Sequence, residues 1–219
     1  MIRRTFLSRF GAAAAVGSGS NGFANLGTVG PLQGASPTAE PRFQPARHAA
    51  DDWFELPGKH RFFFDAISAN GAGDALLFVD NYFGANKGAY SLDNADLAVV
   101  VCLRHLATPF AYTDAIWAKY GAAFSSRIDY VDPKTKTAPI VNTYTSALGE
   151  AIKMGVHFAV CDMATHFFAG AAARKTGGDA DAVYKELVAN TIGNAHFVPA
   201  GIVAVNRAQE RGYSIAYVG

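Results

Sequence analysis

One cysteine lies at the end of a short apolar run, where the chain is predicted to leave a strand and enter a helix. The run covers residues 156–161, and Asp162 follows it. In a parallel α/β domain, ligands bind at the carboxyl ends of the strands. Cys161 is therefore a candidate nucleophile, since the following helix N-terminus would favour its thiolate, and Asp162 is a candidate ligand-binding residue that would oppose it. The alternative, a small buried hydrophobic residue, stays open.

Two further pairs of residues follow predicted strands. Arg104 and His105 come after the strand at 96–103, and their positive charge could hold a small anion, such as a thiosulfonate or carboxylate. A solvated pair is the alternative. Asn70 and Gly71 belong to a predicted Gly-rich turn after the first strand, where they would shape a pocket. This turn lacks the third glycine of a dinucleotide-binding fingerprint.

Three histidines near the candidate cysteine, His157, His166 and His105, are possible metal ligands. His157 would lie about 13 Å from Cys161 along an extended strand, too far for both residues to share one ion. His166 and His105 could approach Cys161 only across separate loops, and their spacing matches no recognised zinc pattern. We therefore expect no metal site and no cofactor.

The second cysteine, Cys102, also falls near the carboxyl end of a predicted strand. With the strand order 2-1-3-4-5, the strands of Cys102 and Cys161 would lie on either side of the first strand. That places them about 10 Å apart, beyond the Cα separation of about 7 Å that a disulfide bond tolerates. We therefore expect no disulfide bond.

Five aromatic residues outside the predicted strands could line a pocket or a subunit interface. They are Trp53, Phe54, Trp117, Phe167 and Phe168. Packing in the core is the favoured alternative for such side chains.

The composition is that of an ordinary globular protein. Half of the 219 residues are hydrophobic, 17% are charged, and the net charge is +1. This charge gives no indication of nucleic-acid or anionic-membrane binding. Two cysteines are too few for a disulfide framework, and no run of roughly 18 strongly apolar residues predicts a membrane span.

The N-terminus carries an export pattern. Arg3 and Arg4 are followed by Phe6 and Leu7, the R-R-x-F-L arrangement of twin-arginine signals, and residues 11–18 are weakly hydrophobic. A merely basic terminus is the alternative. We expect a signal peptide and cleavage region at 1–36, a linker or extended arm at 37–57, a domain at 58–219, and a periplasmic location.

The domain alternates predicted strands and helices. The strands are expected at 61–68, 96–103, 156–161, 195–198 and 213–218, and the helices at 74–85, 113–123, 142–154, 163–174, 179–191 and 199–211. Such alternation predicts an α/β three-layer sandwich on a mainly parallel five-stranded sheet of flavodoxin-like type.

Three patches of the C-terminal half carry a family resemblance. They read G-V-x-F-x-V-C at 155–161, V-P-x-G at 198–201 and Q-x-x-G-Y at 209–213. In this order and spacing, the chain resembles the DsrE/DsrF-like family of sulfur-relay proteins over residues 60–219. The resemblance implies a flavodoxin-like sheet, assembly into trimers or hexamers, and a persulfide on Cys161.

The chain also departs from that family. It carries an export signal, whereas the sulfur-relay members work in the cytoplasm, and its segment between Cys161 and Val198 is longer. Two alternative functions are therefore expected. One is a sulfane-sulfur acceptor or carrier acting through Cys161, with a sulfur donor or acceptor protein or a small anionic ligand as its partner. The other is a non-enzymatic homo-oligomer that binds a small ligand or partner at the same sheet edge.

Overall fold

The structure, a computed structural model, describes residues 43–219, of which Pro45–Gly219 form one compact unit. Five strands make a single sheet in which every pairing is parallel. Their order is β4-β3-β2-β1-β5. The strands are β1 (His60–Ala66), β2 (Leu97–Leu103), β3 (His157–Cys161), β4 (Ala195–Val198) and β5 (Ser214–Val218).

Six α-helices connect the strands. They are α1 (Ala69–Tyr90), α2 (Asp114–Ile128), α3 (Thr145–Lys153), α4 (Asp162–Thr176), α5 (Ala180–Ala189) and α6 (Gly201–Glu210). Short 3-10 helices cover Ala49–Phe54, Asn94–Asp96 and His105–Ala111. The predicted α/β three-layer architecture with a parallel five-stranded sheet, of flavodoxin-like type, is confirmed.

The direction of the connections decides which helices cover which face. From β1 to β4 each strand is placed on the same side of the preceding one, so right-handed crossovers put α1 to α5 on one face. The connection from β4 to β5 runs the other way and puts α6 on the opposite face. The two cores agree with this, since Leu76 and Phe168 pack in one cluster and Ala204 in the other.

The strand β2 lies at the centre of the sheet and is buried along its whole length. Its side chains alternate between the two cores: Val99 and Val101 belong to the larger, and Val100 and Cys102 to the smaller. A strand covered on both faces has this continuous run of β-branched residues, so the prediction for residues 96–103 is confirmed.

The face opposite α1 to α5 is covered by α6 together with residues 45–57, here called the arm. Phe54 is fully buried against this face, and Tyr213 donates a hydrogen bond to its carbonyl at 2.7 Å. Asp51 lies 3.3 Å from Arg207 of α6. The second half of the segment expected to be a linker is thus packed against the domain.

The strand order 2-1-3-4-5 is wrong, because β2 lies directly beside β3 rather than across β1. Cys102 pairs in register with Ala159, two residues before Cys161. Both cysteines are free. The absence of a bridge is therefore not explained by a first strand lying between the two cysteines, because their strands are neighbours.

Within residues 43–219, no helix combines the length and the apolar character needed to cross a bilayer. The predicted twin-arginine signal at 1–36 and its cleavage region lie outside the described residues.

Candidate functional site

The sheet reverses its winding between β3 and β4. The loop after β3 leads to α4 on one face, and the loop after β4 leads to α6 on the other. Between two neighbouring strands whose connections diverge, a crevice opens at their carboxyl ends, and ligands of open α/β sheets bind in such crevices. The topology therefore indicates one location for a binding site.

A cavity of about 350 Å³ lies at that location. Its size falls in the range of roughly 300–1,000 Å³ that small-molecule sites occupy. We call it the switch-point pocket. Its walls are Arg104, His105 and Leu106 after β2, Cys161, Met163, Ala164, Phe167 and Phe168 from β3 and α4, and Ala200, Gly201 and Ile202 at the start of α6.

Cys161 is both the last residue of β3 and the N-cap residue of α4. It is 7% exposed, and it lies in the pocket wall. Its carbonyl accepts a hydrogen bond at 3.0 Å from the hydroxyl of Thr165, which in turn accepts one at 2.9 Å from Tyr112. This buried chain of hydrogen bonds fixes the turn, so the position of the thiol is set by the fold.

The other cysteine has a different environment. Cys102 is fully buried beneath α6, with its sulfur 3.9 Å from the carbonyl oxygen of Gly201. Burial raises the pKa of the Cys102 thiol well above its ordinary value. A thiol reacts as its thiolate, so the chemistry of Cys102 is suppressed. Of the two cysteines, Cys161 is the one that borders the pocket.

Arg104 lines the pocket as expected, but its charge is already paired. Its Nε and Nη2 donate to the two carboxylate oxygens of Asp65 at 2.6 and 2.9 Å. Asp65 lies on β1 and is 4% exposed. Such a two-pronged pair neutralises the charge of Arg104 and uses two of the five N–H donors that a guanidinium carries. A Cβ on Gly201 would lie 2.6 Å from Arg104 Cδ, which is why glycine begins α6 here.

His105 and Asp162 differ in their relation to the pocket. His105 lines it, is exposed, and has a left-handed backbone with φ of 54°. Asp162 does not line it. The Asp162 carboxylate accepts a hydrogen bond at 2.7 Å from Tyr184 of α5 and lies 3.7 Å from His166. Asp162 therefore joins α4 to α5 instead of contacting a ligand in this pocket.

Comparisons with known proteins carry no argument about the fold or function of this chain. No protein-family model matches the sequence, and no curated protein matches it either. One similar solved structure is that of the protein of unknown function MTH1491 from Methanobacterium thermoautotrophicum, at 14% identity and a TM-score of 0.38. The match covers 72% of this chain and 98% of that one. A likeness this distant carries no information about function.

Asn70 and Gly71 do not form the predicted turn, because both lie in the first turn of α1. The prediction that they shape the pocket is also wrong, since neither residue lines it. Ser68 caps this helix by accepting a hydrogen bond at 2.9 Å from the Gly71 amide. A Cβ at Gly71 would lie 2.5 Å from the Val218 carbonyl oxygen. The glycine therefore permits helix α1 to approach β5 closely. In the sequence, a glycine required for close packing looks the same as a glycine of a turn.

Met163 and Ile202 line the pocket and were not predicted from the sequence, whereas Phe167 and Phe168 were among the aromatic residues that could line a pocket or pack in the core. Met163 and Phe167 lie one helical turn apart on α4, and Ile202 lies on α6. Phe168 is 1% exposed, as expected for a core residue, but the neighbouring Phe167 is 50% exposed. The sequence signal that could have indicated the α6 side of the pocket is the V-P-x-G patch at 198–201. It lies beside Cys161 only because β4 is the neighbour of β3, which the sequence does not show.

His105 lines the pocket together with Cys161, but His157 and His166 do not. His157 lies at the other end of β3, where its Nδ1 is 2.8 Å from Nε2 of His196 on β4. Within residues 43–219, no three histidine, cysteine or acidic side chains are grouped closely enough to hold a metal ion.

Proposed function

We propose that this chain binds a small molecule in the switch-point pocket. The observation that carries the proposal is the coincidence of a cavity of about 350 Å³ with the point where the sheet reverses its winding. Ligands of open α/β sheets bind at such points in proteins of many unrelated activities. The site is thus argued from topology and shape, not from any one residue type.

Two features favour binding without chemistry. The guanidinium of Arg104 is paired with Asp65, and Cys161 exposes only 7% of its surface. A reactive cysteine is usually partly exposed beside a positive group. We therefore place a non-enzymatic small-ligand-binding protein first.

Amide chemical shifts test this proposal, with benzyl alcohol as the probe. We expect saturable shifts at Cys161, Ala164 and Ile202. Ala164→Phe fills the pocket and should abolish them, whereas Leu77→Phe, an exposed position on α1, should leave them unchanged. Equal shifts in the two variants would show that the probe binds elsewhere and would contradict the proposal.

The second candidate is the sulfane-sulfur acceptor of the DsrE-like resemblance. It is favoured by the position of Cys161 in the pocket wall at the N-terminus of α4, where the helix dipole attracts negative charge. In this function, the Cys161 thiolate attacks the outer sulfur of a persulfide R–S–SH. The donor S–S bond breaks, R–S⁻ leaves, and Cys161 retains the sulfur as its own persulfide.

Intact-protein mass spectrometry after treatment with benzyl persulfide tests this candidate. We expect the mass of one added sulfur atom on the original chain and on Cys102→Ser, and none on Cys161→Ser. If the original chain gains no sulfur, or if Cys161→Ser gains as much, the sulfur-acceptor function is excluded.

We further propose export by the twin-arginine route and assembly into a homo-oligomer. The support for export is the R-R-x-F-L pattern at Arg3, and that for assembly is the family resemblance. Replacing both Arg3 and Arg4 by lysine should keep the protein out of the periplasm. Analytical ultracentrifugation should find trimers or hexamers, and a monomer at all concentrations would contradict the assembly.

A further inference from the structure

We infer that the switch-point pocket selects an uncharged, mainly apolar molecule over a small anion. This inference rests on the proposed binding function and names the class of ligand. It reverses the expectation from the sequence, in which Arg104 and His105 supplied positive charge for an anionic ligand.

The first argument concerns the charge of Arg104. Its Nε and Nη2 donate to Asp65, which is 4% exposed and pairs with Arg104 through both carboxylate oxygens. A ligand carboxylate could reach the guanidinium only by displacing Asp65, which would leave a buried carboxylate without its partner, or by approaching as a second negative charge. Both routes are unfavourable in an apolar surrounding.

The second argument concerns the walls. Leu106, Ala164 and Phe168 form apolar surface inside the pocket. At its mouth, Met163 and Ile202 are 69% and 61% exposed, and Phe167 is half exposed. Large apolar side chains grouped at the mouth of a cavity are typical of ligand sites, and methionine adapts its shape to the bound molecule. These side chains offer a carboxylate no hydrogen bond.

The first turns of α4 and α6 contribute the polar part. Cys161 and Ala200, their N-cap residues, line the pocket and make no side-chain capping hydrogen bond. The amides of such turns can donate to an oxygen of the ligand, and a hydroxyl or carbonyl oxygen is a sufficient acceptor. Helix N-termini also attract anions. The experiment below therefore compares an alcohol directly with a carboxylate.

The volume limits the size of the ligand. Liquid water occupies about 30 Å³ per molecule, so a cavity of about 350 Å³ accommodates on the order of ten non-hydrogen atoms. A single aromatic ring or a short branched chain with one oxygen atom meets this limit. Benzyl alcohol and benzoate meet it equally and differ mainly in charge.

The test is a pair of titrations of the full chain, followed by the amide shifts of Cys161, Ala164 and Ile202. We expect benzyl alcohol to bind at least about tenfold more tightly than benzoate, a difference of roughly 1.4 kcal/mol. Equal or tighter binding of benzoate would overturn the inference while leaving the proposed binding function in place. Absence of shifts with both probes would overturn the inference and the binding function together.

Two variants test the cause of the selectivity. Asp65→Asn releases the charge of Arg104 and should raise benzoate affinity at least about tenfold relative to benzyl alcohol. Ile202→Lys adds a cation at an exposed position of the pocket mouth, keeps the buried pair, and should change the preference in the same direction. Leu77→Lys, an exposed position on α1, is the matched control and should leave the preference unchanged. An unaltered preference in Ile202→Lys would overturn the role of charge even if Asp65→Asn fails to fold.

Discussion

Both ends of the neighbouring strands β3 and β4 carry side chains that can take part in chemistry, but the surroundings of the two ends differ. At the carboxyl end, Cys161 borders a cavity, because the chain leaves these strands toward opposite faces. At the amino end, His157 and His196 lie 2.8 Å apart, and Trp53 of the arm stacks on His196 with ring centroids 4.3 Å apart. We call the first end the open end and the second, which the arm covers in part, the covered end. His157 at the covered end is half-buried and borders a smaller cavity of about 270 Å³.

This difference shows that residue type alone does not define a site. The histidines of the amino end are common metal ligands and proton carriers, but there they bond to each other beneath an indole ring. Cys102 and Cys161 show the same contrast on adjacent strands, since the first is sealed beneath α6 and the second faces the pocket. The direction of the connecting chain makes the difference.

The largest expected effect is the loss of stability when the arm, whose Trp53 stacks on His196, loses the buried ring of Phe54 beside it. Phe54→Ala removes a fully buried ring of the arm and should lower the free energy of unfolding by about 3–5 kcal/mol. Phe167→Ala is the matched change at the open end, where half of the ring is exposed, and should cost less than about 1.5 kcal/mol. Urea denaturation measures both values. Similar losses would show that the two ends do not differ in packing.

The next effect is the reactivity of the two thiols. In the native protein, iodoacetamide should alkylate Cys161 on the order of a hundredfold faster than Cys102, because the buried Cys102 thiol must wait for local opening and its pKa is raised. Peptide mass spectrometry at a series of times gives both rates. In urea the rates should become similar, which serves as the control. Equal rates in the native protein would contradict the difference in access.

A smaller effect is expected from Gly201→Ala. The added Cβ would lie 2.6 Å from Arg104 Cδ, so α6 or Arg104 must move, at a cost of about 1–3 kcal/mol. Gly149→Ala in α3 is the control, because its Cβ would meet nothing within 4 Å and alanine favours a helix by roughly 0.5–1 kcal/mol. The two substitutions should therefore change the free energy of unfolding in opposite directions. A stabilised Gly201→Ala variant would show that α6 does not lie so close to Arg104.

The smallest effect is a pH dependence at the covered end. Burial lowers the pKa of both His157 and His196, and the His157 ring lowers that of His196 further. The unfolded chain therefore binds protons first as the pH falls. The stabilisation is fully present above the unfolded histidine pKa of about 6.5 and is lost as the pH falls from there toward the lower folded values.

Denaturation in urea between pH 7.5 and 5 measures this slope. His196→Gln should reduce it, whereas Leu77→Gln, which removes no titratable group at an exposed position on α1, should leave it unchanged. A slope that is the same in the original chain and in His196→Gln would mean that the histidine pair does not contribute.

Much of the local structure could be predicted from the sequence. Strand β4 has the predicted bounds of residues 195–198, and the position of Cys161 at the end of a strand and the start of a helix is confirmed. These features depend on the spacing of apolar residues and on the residues that end helices and strands, which are local properties of the sequence. The burial of β2 follows from its β-branched run in the same way.

The strand order and the state of Arg104 could not be predicted, because both depend on distant parts of the chain. A buried run shows that a strand has covered faces, but it does not identify its neighbours. The partner of Arg104 is Asp65, 39 residues earlier and on the adjacent strand. The linker or extended arm expected at 37–57 was predicted from its proline- and alanine-rich composition. That composition gives no sign that Phe54 packs in the core of the domain.

The most direct test of the binding site is a crystal structure of the protein soaked in 4-bromobenzyl alcohol, with the bromine located by its anomalous scattering. The result expected is one strong bromine peak inside the switch-point pocket, between Cys161 and Ile202. Bromine peaks elsewhere on the surface, with none in this pocket, would contradict the account.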